Sequence, residues 1–192
     1  MKKKAIYSAL ISGITIWLII LSCKPQQNDD SKEIAKEHNP AKANNSREVK
    51  FLVEVTKISL REIELAKIVQ ESSASANIKE MGKTMERDHN EFLQEIKKLA
   101  KNKSISIPDG MTKNSIETTK KLEGKSGEDF DKQYCEIMVD GLKEEVKKFK
   151  SASEDIDDID IKNWANKNLP ALRNHLDHAM TCKESFKNQK NS

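Results

Sequence analysis

Three ionisable residues stand where a helical pattern of apolar residues would otherwise continue, and they are the first candidates for chemistry. Glu62, His89 and His175 each lie three or four positions from apolar neighbours on both sides. Buried polar groups need partners, and a carboxylate with imidazoles suits iron, zinc or copper. Glu86 precedes His89 in a Glu-x-x-His spacing, which places both side chains on one helix face and occurs in di-iron bundles. The predicted metal ligands are therefore Glu62, Glu86, His89 and His175, for a single transition-metal ion.

The same residues also permit an interpretation without a metal, which is the preferred one. A complete di-iron site needs a carboxylate from every helix, whereas the third long segment offers Leu142 at this level and the fourth has Leu172 where a Glu would precede His175. A hydrogen-bonded Glu–His network that fixes helix register needs neither carboxylate. The sequence has no Gly-rich phosphate loop, Cys-x-x-Cys or nucleophile elbow, so no catalytic residue is predicted and an enzyme is the less favoured class.

The first 23 residues carry the signals of a lipoprotein. Three lysines at positions 2–4 precede an uncharged run over residues 5–21, and Ile20-Leu21-Ser22-Cys23 resembles a bacterial lipobox. The run spans roughly 25 Å at about 1.5 Å per residue, which is short for a bilayer core of about 30 Å. The prediction is cleavage of a signal peptide before Cys23 and attachment of diacylglycerol and an acyl chain such as palmitate to Cys23. A membrane-spanning anchor is the alternative.

Cys135 and Cys182 are the cysteines that remain after lipidation. One lies early in the third long segment and the other late in the fourth, so antiparallel packing would bring them to the same end of a bundle. Their offset of roughly 6 Å along the axis is close to the usual Cα separation of about 5.5 Å, and a compartment outside the cytoplasm permits oxidation. A disulfide is one interpretation, and two buried free thiols are the other.

Helical periodicity extends from Arg47 onward and defines the elements that must position these residues. Pro170 interrupts the last segment, where a kink or a restart is expected. Four amphipathic helices can bury one apolar stripe each, so the predicted fold is an all-α, antiparallel four-helix bundle with one long connection that holds a short helix. The predicted helices are 47–71, 77–101, 112–123, 127–152 and 159–187. The predicted domains are a signal peptide (1–22), a polar tether (23–46), the bundle (47–187) and a disordered tail (188–192).

The charge balance argues against nucleic-acid binding. The sequence has 34 basic and 31 acidic side chains, with a net charge of +3. The three lysines at positions 2–4 would leave with the signal peptide, which makes the mature chain neutral. Binding to a phosphate backbone requires an excess of basic residues, so nucleic acid is not among the expected partners.

Several motifs are similar to those of a bacterial envelope family. They are Glu62-Ile-Glu-Leu-Ala66, Met85-Glu-Arg-Asp-His89, Phe130-Asp-Lys-Gln-Tyr134 and Leu169-Pro-Ala-Leu172 with His175-Leu176. Together they resemble a ferritin-like domain of unknown function, whose members are often labelled outer membrane proteins, over about residues 48–182. The resemblance implies a ferritin-like bundle and brings no activity with it. Members usually carry Asp-His where this chain has Gly141-Leu142.

The expected function follows from location more than from chemistry. The chain is expected to be a lipid-anchored protein of the cell envelope, at the outer membrane, whose bundle is a structural or partner-binding module without catalysis. The alternative is a metal-binding or redox protein that uses the mid-bundle Glu and His residues. The membrane is the expected partner through the lipid anchor, and the sequence does not identify a protein partner.

Overall fold

The computed structural model describes residues 46–189, and all regular structure in that range is helical. Five helices follow one another without a strand between them: α1 Arg47–Ser72, α2 Ala76–Asn102, α3 Lys113–Glu123, α4 Gly127–Asp155 and α5 Ile159–Gln189. This confirms the all-α prediction, and the helix ends lie within three residues of the predicted ones. The predicted signal peptide, Cys23, the tether before residue 46 and residues 190–192 lie outside the described range.

Side-chain oxygens fix where most of the helices begin. Ser46 Oγ accepts a hydrogen bond from the Val49 amide, Ser75 Oγ from the Ile78 amide and Thr112 Oγ1 from the Ser115 amide. Asp158 Oδ1 accepts from the amide of Ile161 at the start of α5. These bonds satisfy amides that have no partner within a first helical turn, so short polar residues mark the helix starts.

The long helices form two hairpins that pack into an antiparallel bundle. Helix α1 packs along α2 and α4 along α5, while α1 also contacts α4 and α2 contacts α5. Helices α2 and α4 run in the same direction, so the connection between them must return along the bundle. Helix α3 lies in this connection and packs against α1 and α4. Within residues 46–189 no helix is long and apolar enough to cross a membrane.

One end of the bundle is filled by aromatic residues and is called here the aromatic end. The Phe149 ring lies 5.3 Å from the Phe51 ring and 5.1 Å from the Trp164 indole, between centroids, and Phe92 packs 6.5 Å away. These four residues come from four different helices and are almost entirely buried. The cluster therefore joins all four long helices near residue 46, where the described chain begins.

The opposite end, called here the disulfide end, is closed by Cys135 and Cys182. The two cysteines form a disulfide between α4 and α5, with Cα atoms 5.8 Å apart. Of the two interpretations of these cysteines, the structure has the disulfide. Thiol titration of the denatured, non-reduced Cys23→Ser chain should then find no free thiol, because the remaining two cysteines are consumed by the bond. Two titratable thiols would contradict it, and a reduced sample provides the positive control.

Pro170 does not end α5. The helix is continuous from Ile159 to Gln189, although the proline has no amide hydrogen to donate to the carbonyl of Asn166. A restart at this position, one of the two expected outcomes, is absent. The residues on both sides of the proline, Leu169 and Leu172, are buried, so tertiary packing holds the helix together across it.

Candidate functional site

Each of the four long helices contributes one buried ionisable side chain near the middle of the bundle. They are Glu62 from α1, His89 from α2, Glu145 from α4 and His175 from α5, and none is more than 3% exposed. These four residues are called here the mid-bundle cluster. The structure thus brings together three of the four residues predicted from the sequence and adds Glu145.

Glu62 is bound by its own sequence neighbour. Arg61 donates from Nε and from Nη2 to Glu62 Oε1, at 3.2 and 2.7 Å. The Arg61 side chain is 22% exposed and the Glu62 side chain is fully buried, so the guanidinium reaches inward from the surface. Burial raises the pKa of the Glu62 carboxyl, and the positive charge of Arg61 opposes this rise.

Gly141 on α4 makes room for this ion pair. A Cβ atom at Gly141 would lie 2.7 Å from Arg61 Nη2 and 3.1 Å from Glu62 Oε1, closer than normal contacts allow. A larger residue at this position would therefore displace the guanidinium or the carboxylate. Gly141 therefore lies where the Arg61 guanidinium enters the bundle.

His89 and Glu145 face each other in the core. His89 Nε2 lies 3.9 Å from Glu145 Oε2, too far for a hydrogen bond. Burial lowers the pKa of His89 to about 3, and the nearby His175 contributes to the shift. Burial also raises the pKa of Glu145 well above its usual value, with a further contribution from the negative charge of Glu62. Burial thus disfavours the charged form of both groups, and His89 is neutral at pH 7.

His175 connects the cluster to the opposite surface of the bundle. Its Nε2 lies 2.9 Å from Asp88 Oδ2, and Arg87 Nε donates to Asp88 Oδ1 at 2.8 Å. Burial raises the pKa of Asp88, but the hydrogen bonds from Arg87 and His175 outweigh it and lower the pKa overall. Burial lowers the pKa of His175 against the opposing effect of Asp88. Polar groups thus line a path across the bundle from Arg61 to Arg87.

The predicted hydrogen-bonded network among Glu62, His89 and His175 is absent from the structure. Glu62 binds Arg61, His175 binds Asp88, and His89 has no hydrogen-bond partner in residues 46–189. The ring centroids of His89 and His175 are 6.2 Å apart, whereas the shortest Arg61–Glu62 and His175–Asp88 donor–acceptor distances are 2.7 and 2.9 Å. Glu62 and His175 are therefore bound by partly exposed side chains outside the predicted network, Arg61 and Asp88.

Glu86 does not join the cluster. Its Oε2 accepts a hydrogen bond from Gln70 Nε2 at 2.7 Å, at the edge of the α1–α2 interface. The side chain is half-buried, whereas His89 one turn later is fully buried. The Glu-x-x-His spacing therefore does not bring the two side chains into one site, because Glu86 lies at the helix interface edge and His89 lies in the core.

Glu145 is the member that sequence reasoning missed. The apolar stripe of α4 can be drawn from Leu142 to Phe149 through either Glu145 or Val146, since both are three or four residues from each. Hydrophobicity favours Val146, but the structure buries Glu145 and leaves Val146 partly exposed. The spacing was the one signal that could have identified Glu145, and it could not distinguish Glu145 from Val146.

Seven buried polar atoms in this region have no hydrogen-bond partner among the described residues. They are Glu62 Oε2, Glu145 Oε1 and Oε2, His89 Nδ1 and Nε2, His175 Nδ1 and Tyr134 Oη. Burial, with a further contribution from Glu62, raises the pKa of Tyr134, so its hydroxyl remains a donor. Unpartnered buried groups are costly, which makes this region suited to holding a proton or a small cation. In the described part of the chain, however, no three His, Cys, Asp or Glu side chains are arranged to hold a metal ion as they stand.

The chain matches a known protein family. A family model described as "Domain of unknown function (DUF4142)" matches residues 33–182, which include the whole mid-bundle cluster. No curated protein and no solved structure matches the chain significantly.

Proposed function

The chain belongs to the DUF4142 family of unknown function, and on that premise we propose that it is a lipid-anchored protein of the bacterial cell envelope whose helical bundle is a structural or partner-binding module. The anchor is Cys23, and the outer membrane is the proposed location. A ferritin-like topology of the bundle is part of the proposal, and the long α2–α4 connection supports it.

The observation that carries this proposal is the Cys135–Cys182 disulfide. Stable disulfides form in oxidising compartments outside the cytoplasm and are rare inside it. This supports export of the chain independently of the lipobox-like residues before Cys23. Export and a lipidated cysteine together imply attachment to a membrane surface, since several acyl chains anchor a protein stably.

The anchor is tested by replacing Cys23 with serine in the producing cell. We expect the Cys23→Ser protein to lose acyl labelling and to leave the membrane fraction or to keep its uncleaved signal peptide, because the sulfur that carries diacylglycerol is gone. Ser22→Ala is the matched control, since a small residue before the cysteine is retained and processing should continue. A Cys23→Ser protein of normal mature size, with normal labelling and fractionation, would contradict the proposal.

A second candidate function is the binding of one divalent transition-metal ion by the mid-bundle cluster. The observation that favours it is the set of buried, unpartnered donors on His89, Glu145 and Glu62. The 3.9 Å between His89 Nε2 and Glu145 Oε2 is a span that one ion could bridge, since metal–ligand bonds are about 2.0–2.2 Å. A redox role would rest on the same ion. Addition of Co²⁺ should then raise the melting temperature of the chelator-treated chain, and EDTA should reverse the rise.

A further inference from the structure

Arg61 occupies the side of the mid-bundle cluster from which a third ligand would have to come. Its guanidinium holds Glu62 through Oε1, and Oε2 has no hydrogen-bond partner among the described residues. His89 Nε2 and Glu145 Oε2 lie 3.9 Å apart, and Glu62 acts electrostatically on Glu145, but no three ligands converge among the described residues as they stand. The arrangement of the site is therefore coupled to the position of one surface-reaching side chain.

The charge balance of the buried site favours either Arg61 or a divalent ion beside the carboxylates, and not both together. An ion that displaces the proton of Glu145 would have its two charges balanced by the carboxylates of Glu62 and Glu145 if Arg61 were withdrawn. With Arg61 still in place, the same ion would leave one net positive charge in a buried site, which is unfavourable. The Arg61 side chain is 22% exposed and long, so its guanidinium can move to solvent without unfolding of the helix.

Space at the α1–α4 contact supports the same exchange. Gly141 leaves the gap in which the guanidinium lies, and the nearest atoms to a Cβ there belong to the flexible end of Arg61 and to Glu62. In contrast, a Cβ at Gly82, the other glycine packed between helices, would lie 2.4 Å from Val69 Cγ1 and 3.1 Å from the Ala66 carbonyl oxygen. The gap at Gly141 therefore surrounds a movable group, and the one at Gly82 does not.

We propose that Arg61 is an internal competitor for the metal site: a divalent transition-metal ion binds to His89, Glu145 and Glu62 when Glu62 releases Arg61 through the gap at Gly141. This rests on the second candidate function above and adds its regulation. Arg61 sets how tightly the ion is held, and it returns to Glu62 as its counter-ion when the ion leaves.

The test is a Co²⁺ titration of the purified full chain, followed by visible absorption and by calorimetry. Arg61→Met should bind Co²⁺ about 10- to 100-fold more tightly than the wild type, the factor expected for loss of a hydrogen-bonded charge pair to the ligand. Arg87→Met is the matched control, because Arg87 forms a similar pair with Asp88 but is 71% exposed, and its affinity should equal that of the wild type. Glu145→Gln should abolish tight binding in the Arg61→Met background.

The outcomes separate the two claims. Equal Co²⁺ affinity of wild type and Arg61→Met would overturn competition and leave metal binding standing, whereas no Co²⁺ binding by either chain would overturn both. Binding by Arg61→Met alone would support competition and contradict metal binding by the native chain. Should Arg61→Met not fold, Arg61→Gln takes its place, because it keeps a polar side chain at the surface and removes the charge. It should also tighten Co²⁺ binding, and unchanged affinity there would overturn the proposal.

Discussion

Glu145→Leu should stabilise the domain by about 1–3 kcal/mol at neutral pH, in contrast to most substitutions in a core. The reason is that the Glu145 carboxyl is buried with no hydrogen-bond partner on either oxygen among residues 46–189. Leucine fills a similar volume and removes the cost of burying the acid. The measurement is the free energy of unfolding by urea, on chelator-treated protein, and the matched control is the exposed neighbour Glu144→Leu.

The gain should depend on pH with a defined sign. The pKa of Glu145 is raised in the folded state, so the folded chain keeps a proton that the unfolded chain loses above about pH 4.5. The contribution of Glu145 to the free energy of unfolding is therefore most favourable below pH 4.5, and it becomes less favourable as the pH rises toward the raised pKa. The advantage of Glu145→Leu should be smallest near pH 4.5 and larger at pH 7. A loss of stability on Glu145→Leu at pH 7 would show that the carboxyl has a stabilising partner.

Phe149→Ala should destabilise the domain by about 3–5 kcal/mol, the range for removing a large aromatic side chain from a core. Phe149 is the central ring of the aromatic end, with Phe51 and Trp164 within 5.3 Å between centroids. Its loss opens a cavity at a point where all four long helices meet. Unfolding by guanidinium chloride, with the disulfide intact, measures the change.

The exposed neighbour Lys150→Ala is the control for this prediction and should change stability by no more than about 0.5 kcal/mol. A cost below about 1 kcal/mol for Phe149→Ala would mean that the aromatic end collapses to fill the space, and the packing described for Phe51, Phe92 and Trp164 would then be too loose to hold the helices in register.

The helices and the inward direction of Glu62, His89 and His175 could be predicted because both follow from the spacing of apolar residues. The same reasoning failed at Glu145, since Val146 satisfies the spacing equally well and is apolar. A stripe drawn by hydrophobicity will choose valine over glutamate, and only the packing of α4 against its neighbours decides which one is buried.

The partners of the buried groups could not be predicted for a different reason. Adjacent helical residues do not normally face each other, so a pairing of Glu62 with Arg61 contradicts the usual spacing rules. It becomes available because Gly141, on another helix and 79 or 80 residues away in sequence, leaves space for the guanidinium. The pairing depends on the absence of a side chain at a distant glycine, so it cannot be predicted from the residues next to Glu62.

The position of the disulfide determines how the domain would respond to mechanical load. If Cys23 carries the proposed lipid anchor, a pulling force from the membrane would act first on α1, at the aromatic end. Helix α1 is held to its neighbours by packing and hydrogen bonds such as Gln70–Glu86, whereas α4 and α5 are covalently joined at the far end through Cys135 and Cys182. Under tension α1 would peel away before the α4–α5 hairpin separated. The hairpin would then remain as a closed loop from which the bundle could reassemble when the load is released.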